Sequence, residues 1–209
     1  MFIKVYPNLI AKEIHFVMGN NALEAKKVND DSVLINGVTI DKNDMLPSSN
    51  ELFISSSYKP SMRISFSANE AERSNVLTTL NEVMETVFEN NADIFEEGVT
   101  FKDIQHPLRE DVKKVGKKTL RRYCMKMTTI TNNPPLLIDK TREEIMPTEF
   151  HNGDICKVAI TFMVYNFKDD DNRPVRTMVA RLRVLQKLKE AEVDAESNII
   201  STRELAASF

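Results

Sequence analysis

The chain has 209 residues, 42% of them hydrophobic, and a formal net charge of -3, which is enough chain for one sizeable core. No apolar run approaches the roughly 18 residues that span a bilayer. The opening Met1-Phe2-Ile3-Lys4-Val5-Tyr6 lacks the basic-then-apolar order of a secretory signal, so a cytoplasmic protein without membrane attachment is expected.

In chain order, Phe2 to Val17 is predicted as strand broken at Pro7, and Gly19-Asn20-Asn21 as a turn. Asn36-Gly37 separates Val33-Leu34-Ile35 from Val38-Thr39-Ile40. Both central residues tolerate positive φ, which predicts a hairpin. Asp41 to Asn50 is polar and holds Pro47, so it is predicted as a loop. Leu52-Phe53-Ile54 and Met62-Arg63-Ile64-Ser65-Phe66 are predicted strands, the second alternating cleanly. From Ser67 to Asn90 the period changes. Leu77, Leu80, Met84, Val87 and Phe88 fall on one helical face, and Ser67 with Glu70 has capping-box spacing. One amphipathic helix that plugs a sheet is the expectation.

Asn90 to Lys118 shows little periodicity, and 98–118 is predicted as a basic loop. Lys102 to Lys126 carries nine basic against three acidic residues, a local charge of +6. Thr119 to Thr131 is strand-like and holds Tyr123, Cys124 and Met125. Asn132-Asn133-Pro134-Pro135 breaks it. Leu136-Leu137-Ile138 is a short strand, Thr141 to Glu149 a polar connection, and Asn152-Gly153 a turn. Ile155 to Phe167 alternates. Val158, Ile160, Phe162 and Val164 share one face, while Lys157, Ala159, Thr161, Met163 and Tyr165 share the other. Lys168 to Pro174 is a charged loop. In Val175 to Leu188, Met178, Ala180, Leu182 and Val184 alternate as a strand, while Leu182, Leu185 and Leu188 fit a helix. A strand passing into a helical turn near Gln186 is predicted. Glu190 to Phe209 holds five acidic residues and one basic, a local -4, and is predicted to be an acidic flexible tail. The expected organisation is one domain over 1–189, with N-terminal strands in 1–58, followed by the tail.

The run Pro134-Pro135-Leu136-Leu137-Ile138-Asp139, the turn Phe150-His151-Asn152-Gly153, and a long strand ending in Tyr165 and Phe167 come in a telling order. They are followed by a segment closing on Leu182, Val184, Leu185 and Gln186. This order resembles the C-terminal half of the small OB-fold single-stranded DNA-binding proteins of bacteriophages and related DNA viruses. With the preceding strand and helix, the resemblance extends over roughly Lys59 to Lys189. It implies a mainly β, OB-fold-like five-stranded barrel carrying additional strands and one amphipathic helix. It also implies a single-stranded DNA ligand and a site in the host cytoplasm. The terminal Phe209 on an acidic tail resembles tails by which such proteins bind replication partners, polymerase or helicase.

Enzyme motifs are absent. There is no P-loop, no G-x-G-x-x-G, no H-E-x-x-H and no G-x-S-x-G. His15, His106 and His151 have no ligand spacing, Cys124 and Cys156 are isolated, and both thiols are expected to be buried in a reducing compartment. Cys156 with His151, and Asp139, Lys140 and Asp154, are the nearest approaches to a nucleophile–base pair and a nuclease-like cluster; neither has the constellation. No enzyme activity, metal or cofactor is expected. Single strands are bound by cations along phosphates and aromatic faces under bases. The candidates are Lys113, Lys114, Lys117, Lys118, Arg121, Arg122, Tyr123, Lys126, Tyr165, Phe167, Arg173 and Arg176, with Phe209 as the partner anchor. No base-reading helix can be assembled, which favours sequence-independent binding. The other reading is a viral structural or scaffold interaction protein with a β-sandwich body. A homo-oligomer is compatible with either.

Overall fold

The computed structural model describes residues 22–41, 61–115, 118–129, 134–151 and 153–190. The strands predicted in 2–17 and 52–54, the loop predicted in 42–50 and nearly all of the tail lie outside these residues. Among the described residues eight strands form one sheet. They are β1 (Glu24–Lys27), β2 (Ser32–Asp41), β3 (Ser61–Ser67), β4 (Leu108–Val115), β5 (Lys118–Thr128), β6 (Leu136–Ile138), β7 (Ile155–Lys168) and β8 (Pro174–Lys189). Two helices, α1 (Ala68–Arg73) and α2 (Val76–Glu89), follow β3.

Five strands close into a ring. β2 pairs with β3, β3 with β5, β5 with β8, β8 with β7, and β7 with β2. All contacts in the ring are antiparallel except the β5–β8 seam, which is parallel and only two positions long, Met127↔Ala180 and Thr128↔Arg181. β1, β4 and β6 hang from β2, β5 and β8. This is the expected OB-like barrel with extra strands, a closed sheet rather than two facing sheets. Its interior is filled by inward residues of every ring strand, among them Ile35, Ile64, Met125, Met127, Ile160, Phe162, Met178 and Leu182. Val158, Ile160 and Phe162 take the buried face that their alternation predicts.

The helical segment splits at Ser74 and Asn75. Asn75 accepts from the Ala25 amide (2.9 Å) and donates to the Ala25 carbonyl (2.7 Å), so its side chain pairs with β1 as a neighbouring strand would. That tertiary demand breaks the helix. Val76, Leu80, Val83, Met84, Val87 and Phe88 of α2 are buried, packed against β1, β2 and β7. Ser67 stands at the N-cap of α1, but its side chain makes no capping hydrogen bond.

Three predicted elements take another form. Asn36-Gly37 is not a hairpin, because β2 runs straight through it. Gly37 has φ of 74°, and the β2–β7 register shifts between Ile35 and Val38, so the pair forms a bulge. Asn36 is buried and donates to the Ala22 carbonyl at 2.9 Å. The helical turn near Gln186 is also absent. β8 continues to Lys189, and a register shift opposite Ala159 and Ile160 inserts one residue. Leu182 and Leu185, three apart, therefore both face inward, which mimics a helical period. Finally, the stretch 98–118 read as a basic loop contains β4, an eight-residue strand against β5.

Candidate nucleic-acid interface

The short β5–β8 seam shapes the surface around it. N-terminal to Met127 and Ala180 the ladder between the two strands ends, and Gln105 enters beside β8. Its amide donates to the Arg176 carbonyl (2.9 Å), and its own carbonyl accepts from the Met178 amide (2.8 Å). A cleft of about 610 Å³ remains, lined in part by Cys124, Met178, Thr177 and Val179. Arg63 of β3 is the cross-strand partner of Lys126 of β5, and Arg109 of β4 is the partner of Cys124. Partners across an antiparallel pair project from the same face. Three cations from three strands thus meet at one cleft, with Glu110 and Asp111 also on its lining.

The same outer face continues across β8 onto β7. Val179 is opposite Met163, Thr177 opposite Tyr165, and Val175 opposite Phe167. The Tyr165 hydroxyl accepts from Nη2 of Arg181 at 3.0 Å and donates to Sδ of Met163 at 3.8 Å. Those two contacts tether the hydroxyl end of the ring to both strands of the hairpin. Phe167 at the strand end is 51% exposed. Arg183 donates from Nε to Thr161 Oγ1 at 3.1 Å. Burial holds its pKa below the usual arginine value, the Arg181 charge adds to that, and Asp31 opposes it. Nε of Arg181 is buried and has no hydrogen-bond partner among the described residues.

The predicted site residues divide. Lys126, Tyr165 and Phe167 lie on this continuous face. Arg122 is exposed on the same side of the hairpin, opposite Asp111 and Ser67. Lys113 and Lys114 belong to β4 and Lys118 opens β5, while Lys117 and Phe209 lie outside the described residues. Tyr123 turns the other way. It stacks on Phe66 with ring centroids 6.0 Å apart and packs against the core. Arg121 is held by Glu110 at 2.6 Å and Glu72 at 3.1 Å. Arg173 is tied into the β7–β8 turn by Asp169 at 3.0 Å and by Asp171, and Arg176 pairs with Glu96 at 3.0 Å. Those three arginines enter the interface already matched by carboxylates. Arg63, Arg109, Arg181 and Arg183 are the cations that the sequence reading leaves out of the site. The alternation of β3 puts Arg63 on its polar face, and that was the available signal.

The catalytic alternatives do not assemble. Cys156 is fully buried, and burial together with the Asp154 charge pushes its thiol far above the ordinary range, the reverse of an activated nucleophile. The His151 ring is largely exposed, with Nδ1 at 3.9 Å from Asp154. Asp154 is itself buried, accepting from the His151 amide (2.7 Å) with Lys187 at 3.7 Å. Asp139 is bound by Thr141 in its own turn. Among the described residues no cluster of three or more His, Cys, Asp or Glu side chains is arranged to hold a metal.

No protein-family model matches the chain, and no curated protein matches it in sequence. Among solved structures the chain is similar to the single-stranded DNA-binding protein from bacteriophage Enc34. The TM-score is 0.54 at 14% identity, over 83% of this chain and 93% of that one. It is also similar to that protein in complex with ssDNA, with a TM-score of 0.53 at 16% identity, over 83% and 98% of the two chains. At these identities the likeness establishes a shared fold.

Proposed function

We propose that this protein binds single-stranded DNA without reading its sequence, and that it acts in viral or phage DNA replication, recombination or repair by protecting and organising single strands. The observation that carries this reading is the continuity of one outer face. Arg63, Arg109 and Lys126 gather at a cleft that runs directly into Tyr165 and Phe167. Cations that can follow phosphates and aromatic rings that can stack on bases are the two parts of sequence-neutral single-strand recognition. The shared fold with a phage protein solved with ssDNA supports it. The face belongs to a closed barrel, the architecture whose sheet surface and loops bind oligonucleotides. The closed ring also favours this reading over a β-sandwich scaffold.

Tail residues 190–209 complete the proposal. Their -4 charge suits competition with DNA for the cationic face, and Phe209 suits an anchor in a polymerase or helicase. Equilibrium titration of an oligo(dT) and of a duplex of equal length tests the main reading. The single strand is expected to bind much more tightly, and equal affinity for both would refute it.

A further inference from the structure

β4 ends the sheet. Among the described residues it pairs with β5 alone, and its other edge carries no strand. β3 covers β5 only from Arg122 to Thr128. Beyond that point Val112–Val115 and Lys118–Arg121 form a two-stranded ribbon that β3 does not cover, tied to α1 through Arg121 and Glu72. Two apolar side chains are exposed on it, Val112 (56%) and Leu120 (50%). An isolated two-stranded ribbon is marginal in water, and a long uncovered edge is a template for another strand.

The order of charges on that edge is the informative feature. It reads Glu110-Asp111-Val112-Lys113-Lys114, acids before Val112 and bases after it. We propose that β4 pairs with β4 of a second copy, antiparallel about a two-fold axis at Val112, to join two barrels into one sheet. This register sets Glu110 opposite Lys114 and Asp111 opposite Lys113, each twice by symmetry, with Val112 against its own copy at the centre. Opposite charges directly across strands stabilise the pair, and like charges in the same place destabilise it. Centring one residue earlier sets Asp111 against itself and Arg109 against Lys113. Centring one residue later sets Lys113 against itself. One register is therefore selected over its neighbours, and the contact is self-complementary, as a two-fold interface must be. Glu110 already accepts from Arg121 at 2.6 Å, but a carboxylate has acceptor sites for a second donor. The pairing is independent of nucleic acid.

Sedimentation velocity on the nucleic-acid-free full-length protein, over a wide concentration range, tests this. Wild type is expected to show a monomer–dimer equilibrium. Asp111→Lys faces Lys113 of the copy with a like charge, and Lys113→Asp does the same to Asp111. Each should weaken the dimer by about tenfold or more, and the double exchange should restore it. Val112→Lys, which breaks no ion pair within the chain, should also yield monomers. Thermal melts confirm that the variants are folded. A wild type monomeric throughout, single exchanges or Val112→Lys that dimerise like wild type, or a double exchange that stays monomeric would each overturn the proposal.

Discussion

The Tyr165 hydroxyl accepts a hydrogen bond from Nη2 of Arg181 at 3.0 Å, from one strand of the β7–β8 hairpin to the other. The bond fixes a ring beside the cationic cleft and leaves Nε of the same guanidinium without a partner among the described residues. Tyr165→Ala should cost about 1–3 kcal/mol of single-strand binding. Tyr165→Phe, which keeps the ring, should retain most of the affinity. Fluorescence anisotropy with a labelled oligonucleotide measures both, and an alanine variant that binds like wild type would remove the ring from the interface.

Tyr123 has the opposite role. Its ring stacks on Phe66 and packs against the barrel core, so Tyr123→Ala should lower stability by about 2–3 kcal/mol. The readout is the urea midpoint. An unchanged midpoint, together with weakened DNA binding, would return Tyr123 to the stacking surface.

Gly37 is the residue that lets β2 bulge without breaking. With φ at 74° it occupies a region that costs a side-chain-bearing residue about 1–2 kcal/mol. Gly37→Ala should lower the melting temperature accordingly. A variant as stable as wild type would mean that the bulge relaxes without the glycine.

The parts of the fold legible in the sequence are those where local pattern and burial agree. The alternation of Val158, Ile160 and Phe162 and the stripe from Leu80 to Phe88 end in the core as read. The errors have a common cause, which is that a bulge rewrites a period. Gly37 looks like a turn because positive φ serves turns and bulges alike, and Leu182 with Leu185 looks helical because one residue was inserted between them. The site was less legible than the fold. The density of lysine in Lys102 to Lys126 drew attention to one stretch, but strand alternation divides that stretch between two faces. Arg63 joins Lys126 only through a pairing across sixty-three positions of sequence. Arg173 and Arg176 carry charge in sequence, but Asp169, Asp171 and Glu96 match it in space.

The most direct test is the salt dependence of single-strand binding for wild type and for the combined Arg63→Ala, Arg109→Ala, Lys126→Ala variant. Each phosphate neutralised on a single strand contributes about -0.7 to the slope of log affinity against log salt. Wild type should show a steep negative slope, and the variant should be shallower by about 2 while melting as a folded protein. A wild type whose binding ignores salt, or a folded variant with the wild-type slope, would contradict the assignment of the cleft as the path of the DNA backbone.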